Sequence, residues 1–591
     1  MATPPNLAAA QRGYSYAECD DATHRPAARR TRKRRSAAAS EVLSGPFIAP
    51  GTLSRGERVR LLDGIERVME GVYAHLPLKR ARYGVDPLQR LRILRSQADT
   101  LSDQAFHLDL ADALASLRDA HTAYMGPRAL EDTTAVLPFQ LEMYGPPDAP
   151  TYLITKVVQH RLRRIDRRFE AGVQVVSWNG VPIDRAVERW SDTAWGGRSD
   201  TRRVAALQTM TLRPLRFGPP PDEHWVIVGY RQTDARGHPR GPVLEQRFEW
   251  RIVRPAQVKG ARRDAGALTR GRRRAQRAGA PALRRALNPA AEAMRRATML
   301  LFAPQALARR QPPAASRRGG FPRSELPDFF RVQMLDTQHG KVPLLRIYSF
   351  NIDSDDDFIA ELVRLLLRLP ADGLIIDIRD NPGGNIWAAE RALQLFSDHP
   401  VEPTLFSVLA TTFTRTAAAT AGLGRSELGP WRASLEAAVR NGELYSRALP
   451  ITPVAMCNAI GRVYAGPTVL VNNANTYSSG DLFSAGFMDN AIGPVICVGL
   501  ATAGGGANVL DYTDLVGALE GTPMALPRLP EGIGLSLSFR RATRNGPNLG
   551  LPIEDVGVEG HESYVMTRDD VLHGNRDLYD RCAATLAALR A

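Results

Sequence analysis

Two strand-to-helix turns in the C-terminal half of the chain carry residues suited to chemistry at a backbone carbonyl. The first contains Pro382-Gly383-Gly384, where the absence of Cβ atoms lets backbone N–H groups face a ligand. Paired N–H donors at a helix start can stabilise a developing oxyanion. The second contains Ser478-Ser479-Gly480-Asp481, which offers a hydroxyl nucleophile. Each motif alone is also common in ordinary turns and N-caps.

The segments around these turns predict an α/β layered core with a largely parallel sheet. After Val332 apolar runs alternate with amphipathic segments. The runs GLIIDI and TVLVNN, which precede the two turns, are continuously apolar, as strands buried on both faces are. Ligand sites of such sheets lie at the C-terminal edge, where both turns fall. We predict strands over 343–349, 373–379, 467–472 and 494–499, and helices over 355–368, 385–397, 480–489 and 568–590.

The chain upstream of this core changes character twice. From Arg55 to about Ala123 the apolar spacing is helical, with helices predicted over 87–99 and 103–117. Residues 136–255 hold short β-like runs, and a strand, an Asn179-Gly180 turn and a helix follow in an order that resembles a PDZ module. The predicted domains are a disordered basic tail (1–54), an N-terminal helical domain carrying His121 (55–135), a PDZ-like β-rich module (136–255), an Arg/Ala-rich linker with a helical piece around 288–303 (256–325), and the α/β core (326–591).

The net charge of +15 is concentrated in two segments. Residues 255–324 hold 17 Lys and Arg against two acidic residues, and residues 1–36 hold eight against three. Both segments nearly lack aromatic residues that could stack on bases. We therefore favour a solvated tail and linker over a nucleic-acid contact, although the basic segments leave that contact open.

Cysteine usage and hydropathy suggest an intracellular protein without a disulfide framework or a cysteine-based zinc site. Four Cys are scattered and never spaced as C-x-x-C, so neither a disulfide framework nor a zinc knuckle is predicted. The basic run Arg29–Arg35 is not followed by an apolar segment, and no stretch is long enough to span a membrane. We expect a cytoplasmic protein, with an export route left open.

The two turns, taken in register, identify a family resemblance. DIRDNPGG, followed about 95 residues later by SSGDLFSAGF, resembles the tail-specific (C-terminal-processing) serine peptidases and their tricorn-core relatives. The resemblance implies a multidomain α/β protein with a crotonase/ClpP-like ββα spiral core, and a serine endopeptidase that works through an acyl-enzyme. It places the nucleophile on Ser478, with Ser479 as the rival. It places the oxyanion hole on the N–H groups of Ser479 and of Gly383 or Gly384.

The general base distinguishes the two branches of this family. The tail-specific branch uses a Lys in the loop after the serine helix, where this chain has Gly505 and where no Lys follows Lys341. Arg cannot deprotonate to replace it, so a Ser–Lys dyad is excluded. The tricorn-like branch takes a His from an N-terminal region, which matches His121, and a Glu near the end, which matches Glu554. A His is well suited as a base at neutral pH.

Several alternatives remain beside this interpretation. His561 is a second candidate for the base, and Ala120 stands where the tricorn-like pattern commonly has a Ser. The expected partners are peptides or unfolded proteins, whose C-terminal carboxylate the PDZ-like segment would capture. No cofactor, nucleotide or metal is predicted. The alternative functions are a non-hydrolytic peptide- or lipid-binding protein on the same fold and a crotonase-like acyl-CoA enzyme.

Overall fold

The computed structural model describes residues 36–38, 53–126, 130, 133–158, 165–253, 285–302 and 322–590. Most of the predicted tail over 1–54 and much of the predicted linker over 256–325 therefore lie outside the described residues. Residues 36–38, within the predicted disordered tail, form a short strand.

The N-terminal region is helical, as its apolar spacing predicts. Ser54 and Glu57 form a capping box that begins the first helix, and Asp86 and Ser102 cap two later ones. The predicted helices over 87–99 and 103–117 end a few residues earlier in the structure. The elements are β1 (Ser36–Ala38), α1 (Arg55–Gly71), α2 (Leu76–Tyr83), α3 (Pro87–Ser96), α4 (Asp103–Ala115) and β2 (Ala123–Met125).

The β-rich region that follows has its own apolar core. Asn179 and Gly180 both have positive φ in the tight turn between two of its strands. A six-stranded sheet has the order β10-β9-β6-β5-β4, with β7 also paired to β6, and β1-β11-β3-β8 form a smaller sheet. The elements are β3 (Thr134–Val136), β4 (Phe139–Tyr144), β5 (Thr151–Val157), β6 (Gln174–Trp178), β7 (Val181–Pro182), α5 (Ile183–Thr193), α6 (Ser199–Thr209), β8 (Leu212–Pro214), β9 (Trp225–Thr233), β10 (Pro239–Glu249) and β11 (Arg251–Val253).

One described stretch lies within the predicted linker. It forms β12 (Arg285–Leu287) and α7 (Pro289–Phe302), close to the helical piece predicted around 288–303. The Asn288 side chain accepts the Ala291 N–H at 3.0 Å and so caps α7.

The C-terminal core contains a six-stranded sheet in the order β13-β14-β15-β19-β20-β23. All of its neighbouring strands are parallel except the hairpin β13–β14. The elements are β13 (Phe330–Thr337), β14 (Gly340–Ile347), α8 (Asp355–Leu366), β15 (Leu374–Asp377), β16 (Gly383–Asn385), α9 (Ile386–Leu393), β17 (Leu405–Val408), α10 (Thr412–Ala418), α11 (Leu423–Ser426), α12 (Arg432–Asn441), β18 (Leu449–Pro450), β19 (Thr468–Asn473), α13 (Ser479–Asp489), β20 (Val495–Val498), β21 (Ala507–Asp511), α14 (Tyr512–Leu519), β22 (Gly534–Thr543), β23 (Glu562–Tyr564), α15 (Arg568–Leu572) and α16 (Arg576–Arg590).

A second core sheet joins the N-terminal helices to the C-terminal core. Its order is β18-β17-β22-β2, with β21 also paired to β22. Strand β2 thus comes from the N-terminal region and pairs antiparallel with β22. One apolar cluster contains Leu62 of α1, Phe106 of α4 and Phe539 of β22. The N-terminal helices therefore share their core with this sheet.

Among the described helices, none has both the length and the apolarity that a membrane crossing requires.

We expect Leu62→Ala to destabilise the helices and the second core sheet together. Leu62 is fully buried in the shared cluster, so its truncation should cost about 2–5 kcal/mol of unfolding free energy. Helical circular dichroism and tryptophan fluorescence, to which Trp431 in the same cluster contributes as one of seven tryptophans, should shift to the same lower denaturant midpoint. Ile93→Ala on α3, at a site 49% exposed, is the matched control. A helical transition separate from the fluorescence transition would contradict a shared core.

Candidate active site

The two predicted turns meet at one edge of the parallel sheet. Strands β15 and β19 are parallel neighbours, and Asp377 at the end of β15 lies opposite Val471. The Tyr477 N–H donates to the Asn381 carbonyl at 2.9 Å, and Asp380 Oδ1 accepts from Asn475 Nδ2 at 3.1 Å. These bonds fix the Ser478 turn against the Gly383-Gly384 turn.

Ser478 sits in a strained backbone conformation immediately before α13. Its φ of 66° and ψ of −122° are rare for a residue with a Cβ, and such strain is frequent at functional sites. The Ser478 N–H donates to Asp481 Oδ2 at 2.6 Å, which holds the turn. The side chain points from the start of a helix, whose dipole favours negative charge.

His121 reaches Ser478 from the opposite part of the sequence. Its Nε2 lies 2.7 Å from Ser478 Oγ, and both side chains are fully buried. The segment is held by Asp119, whose Oδ1 accepts the His121 N–H at 2.9 Å. Asp119 Oδ2 accepts from the hydroxyls of Thr122 at 2.9 Å and of Ser538, on β22, at 2.8 Å. The pairing of β2 with β22 therefore positions the imidazole.

The environment keeps His121 neutral. Burial lowers the pKa of His121 to about 4, an effect that Asp119 opposes and Lys79 reinforces. Burial would raise the pKa of Asp119, but His75, Lys79 and His121 hold it below its usual value. A neutral imidazole at 2.7 Å from a hydroxyl is suited to accept its proton.

The rival site residues have different contacts. Ser479 Oγ donates to the Gly384 carbonyl at 3.3 Å, whereas Ser478 Oγ faces the imidazole. His561 Nδ1 accepts the Val495 N–H at 3.1 Å, beside the β20–β23 edge. The geometry thus favours Ser478 and His121 in each pair, and their catalytic roles stay predictions.

The predicted oxyanion hole is reduced to one of its two glycines. The Gly383 N–H is engaged by Asn381 Oδ1 at 2.9 Å. Gly384 has a φ of 144°, and a Cβ at this position would lie 2.1 Å from the Asn351 nitrogen. Only glycine fits there. Gly384 is thus favoured of the two glycines, and its N–H and that of Ser479, at the start of α13, stay the predicted oxyanion donors.

A strand of the same chain lies on this edge. Strand β12 pairs antiparallel with β16, with Ala286 opposite Gly384 and Leu287 opposite Gly383. The Asn288 N–H donates to the Pro382 carbonyl at 2.9 Å. The edge beside the candidate oxyanion donors can therefore bind an extended polypeptide.

Glu554, which the family resemblance predicts as the third catalytic residue, contacts Lys79 and the Gly506 backbone. Its Oε1 lies 2.6 Å from Lys79 Nζ, and its Oε2 accepts the Gly506 N–H at 3.0 Å. No hydrogen bond or ion pair joins it to His121. Burial raises the pKa of Glu554 well above its usual value, against the effect of Lys79. The carboxylate nearest the His121 ring is Asp119, whose Oδ1 is 3.9 Å from Nδ1.

Asp119, His75 and Lys79 are not among the site residues predicted from the sequence. Asp119 was detectable in principle, because its position two residues before His121 permits a local carboxylate-to-backbone bond. His75 directly precedes α2 and Lys79 lies within it, and nothing in their spacing indicates that both are fully buried beside Glu554. That information comes only from tertiary packing.

The loop between β20 and β21 has Gly505 where the tail-specific branch has its lysine. Asp481 accepts the N–H groups of Gly504 at 3.0 Å and Gly505 at 2.9 Å, and it also accepts the Thr502 hydroxyl. A Cβ on Gly505 would lie 2.4 Å from the Tyr477 ring. A side chain at this position would require the Tyr477 ring to move, which favours a base from elsewhere.

Comparison with known proteins agrees with this geometry. Residues 341–517 match the model of Peptidase family S41, and residues 133–255 match the model of a PDZ domain. The segment 341–517 is therefore of the Peptidase family S41 type, and the predicted serine peptidase class is confirmed. More particularly, the chain joins a helical N-terminal region and a PDZ domain to a family S41 peptidase core, and the predicted α/β fold class is confirmed. No curated protein sequence matches the chain significantly.

Solved structures share the overall fold. The crystal structure of mature CPAF has a TM-score of 0.59 at 17% identity, covering 90% of this chain and 97% of that one. Mature CPAF complexed with lactacystin has a TM-score of 0.58 at 17% identity, covering 90% and 98%. At this identity the similarity establishes the fold alone.

We expect the acid limb of the activity profile to lie well below pH 6.5. Because burial depresses the pKa of His121 to about 4, the neutral base persists as the pH falls through 6.5 and is lost only near pH 4. The measurement is the rate of Ser478 acylation by a fluorophosphonate between pH 4 and 8, with circular dichroism at each pH to confirm folding. Half-loss of the rate at or above pH 6.5 in folded protein would contradict a buried neutral base.

Proposed function

We propose that the enzyme is an endopeptidase for peptides and unfolded proteins that uses Ser478 as nucleophile and His121 as base. The observation that carries this proposal is the 2.7 Å distance between Ser478 Oγ and His121 Nε2 inside a water-excluded site. The family S41 match supports the reaction class.

The proposed reaction proceeds through an acyl-enzyme. His121 Nε2 takes the hydroxyl proton as Ser478 Oγ attacks the scissile carbonyl carbon. The N–H groups of Gly384 and Ser479 stabilise the resulting oxyanion, and each such donor contributes about 10²–10³ in turnover. His121 then returns the proton to the leaving amine, and water hydrolyses the ester by the same path in reverse order.

Asp119 is proposed as the positioning residue for His121. Its bonds to the His121 N–H, Thr122 and Ser538 fix the ring, and its charge stabilises the imidazolium that forms during attack. Glu554 is proposed to act further away, by holding Lys79 and the Gly506 N–H. The family resemblance implies instead that Glu554 orients His121, directly or through a water.

A substrate is proposed to bind as an antiparallel strand on β16. Strand β12 makes this pairing in the structure, with Ala286 opposite Gly384. A substrate strand must therefore displace residues 285–287 to present its carbonyl to Ser478. Backbone pairing gives affinity with little dependence on sequence, which suits unfolded polypeptides.

The PDZ domain is proposed to deliver substrate termini to the same site. The loop after α5 contacts the catalytic segments directly. The Gly196 N–H donates to the Arg118 carbonyl at 3.0 Å, and the rings of Trp195 and Tyr477 are 5.0 Å apart. Tyr477 in turn lies 4.7 Å from the His121 ring. Capture of a C-terminal carboxylate is the usual use of this fold.

We expect a fluorophosphonate probe to form a single adduct on Ser478. Intact-mass spectrometry and peptide mapping should show the adduct in the wild-type chain and in Ser479→Ala, and none in Ser478→Ala. His121→Ala should slow labelling by roughly 10²–10⁴-fold, the usual contribution of a general base. His561→Ala, at a site bonded to Val495, is the matched control and should label normally.

Access is tested in the same experiment. Ala286→Pro should weaken the β12–β16 pairing, because proline interrupts a strand ladder. If β12 restricts access, this variant labels faster at the same residue. Absence of an adduct in both the wild type and Ala286→Pro, with both folded, would overturn the proposed catalytic site. An adduct on Ser479 would transfer the nucleophile to that residue.

We expect Asp119→Asn to impair acylation far more than Glu554→Gln does. The amide keeps the shape of Asp119 but removes the charge beside the imidazole, and an equivalent change in a Ser-His-Asp triad costs about 10⁴-fold in turnover. Glu554→Gln leaves Asp119 and its contacts in place. The measurement is the labelling rate at Ser478 in folded protein. A larger loss in Glu554→Gln would restore Glu554 as the residue that orients His121.

A further inference from the structure

A buried group of possible metal ligands lies behind His121. One ligand atom each from His75, Asp119 and Glu554 lies within 4.8 Å of the other two. The three side chains come from α2's start, the His121 segment and the segment after β22, and all are buried. The His75 ring Nε2 is 3.5 Å from Glu554 Oε2, without a hydrogen bond between them.

His75 provides an independent indication of a ligand. The His75 side chain is fully buried, yet neither Nδ1 nor Nε2 has a hydrogen-bond partner. Buried polar side chains are almost always hydrogen-bonded, so an orphaned ring calls for an explanation. His121 Nδ1 and Asp555 Oδ2 are orphaned in the same way. A ring nitrogen with a free lone pair beside two carboxylates is the donor set of a metal ion.

The charges around the cluster are unbalanced. Asp119, Glu554 and Asp555 are three buried carboxyl groups, and Lys79 is the ammonium that contacts two of them. Lys79 contacts Glu554 Oε1 and Asp555 Oδ1, and Glu554 Oε2 accepts the Gly506 N–H while it faces His75. A bound cation on the His75 side would hold Glu554 ionised and would balance the excess of carboxyl groups over the one ammonium.

We propose that His75, Asp119 and Glu554 bind one zinc ion. Ligands at about 2.0–2.2 Å from a tetrahedral zinc ion are roughly 3.3–3.5 Å from one another. The 3.5 Å between His75 Nε2 and Glu554 Oε2 fits that spacing. Asp119, the third ligand, would need to move only slightly, because one ligand atom from each of the three residues already lies within 4.8 Å of the other two. An imidazole together with carboxylates suits zinc better than magnesium or calcium, which prefer all-oxygen sites.

The ion would reduce peptidase activity, a consequence that rests on the proposed roles of Ser478 and His121. Asp119 Oδ1 lies 3.9 Å from His121 Nδ1 and would stabilise the imidazolium formed during attack. A divalent cation bound to Asp119 offsets that charge and adds its own repulsion. Zinc would therefore act as a reversible inhibitor from behind the catalytic histidine, without contacting the substrate.

The test measures zinc binding separately from activity. Full-length Ser478→Ala protein, freed of metal by chelator dialysis, is titrated with Zn²⁺ against a chromophoric indicator. We expect one tight equivalent, which His75→Gln and Glu554→Gln lose. His399→Gln is the matched control, because His399 and Asp398 form a surface pair at 2.8 Å that also offers a nitrogen and a carboxylate. The control should keep the equivalent.

A spectroscopic measurement covers the case in which a variant does not fold. X-ray absorption of the zinc-loaded Ser478→Ala protein should show a nitrogen and oxygen shell with the scattering pattern of one imidazole. Absence of a tight equivalent, a shell without imidazole, or an equivalent that survives in folded His75→Gln would each overturn the zinc site. Inhibition of the wild type by Zn²⁺ that persists in His75→Gln would place the inhibitory ion elsewhere.

Discussion

The hydrogen-bond contact between Ser478 and His121 is the constraint on which the rest of the structure depends. The two residues are 357 positions apart, and their side chains meet at 2.7 Å in a site that excludes water. Two different sheets must therefore be held in fixed relation. The parallel sheet carries Ser478 at the end of β19, and the second sheet carries His121 beside β2. The apolar cluster shared by α1, α4 and β22 joins the N-terminal helices to that second sheet.

Burial shapes the chemistry of the site as much as distance does. In a low-dielectric environment an imidazole stays neutral, and a carboxylate is tolerated only beside cations or hydrogen-bond donors. The site uses both consequences. His121 is neutral, Asp119 is held ionised by donors and cationic neighbours, and Lys79 compensates Glu554 and Asp555. Asp119 thus lies on the Nδ1 side of His121, where it can stabilise an imidazolium without competing for the Ser478 hydroxyl at Nε2.

Local sequence signals predicted the elements that carry the site, and tertiary packing decided the rest. The strands before both turns were recognisable because burial on both faces requires continuous apolar runs, and α13 was predicted to within one residue. His121 was found only through the family resemblance. Lys79 and His75 gave no signal, because a buried ion pair between α2 and residue 554 depends on contacts far apart in sequence. Only the structure could favour Gly384 over Gly383, because the Gly383 N–H is bonded to the Asn381 side chain.

The packing of one loop favours the proposed histidine base over a lysine. The loop between β20 and β21 is held against Asp481 by the N–H groups of Gly504 and Gly505. That contact brings the backbone so close to the Tyr477 ring that a Cβ at 505 would lie 2.4 Å from it. A lysine there would require the loop to move away and Asp481 to lose its donors. The same tight loop leaves the Tyr477 ring in contact with His121, at 4.7 Å between centroids. The glycine that excludes one kind of base therefore supports the other, and the two cannot be exchanged by a single substitution.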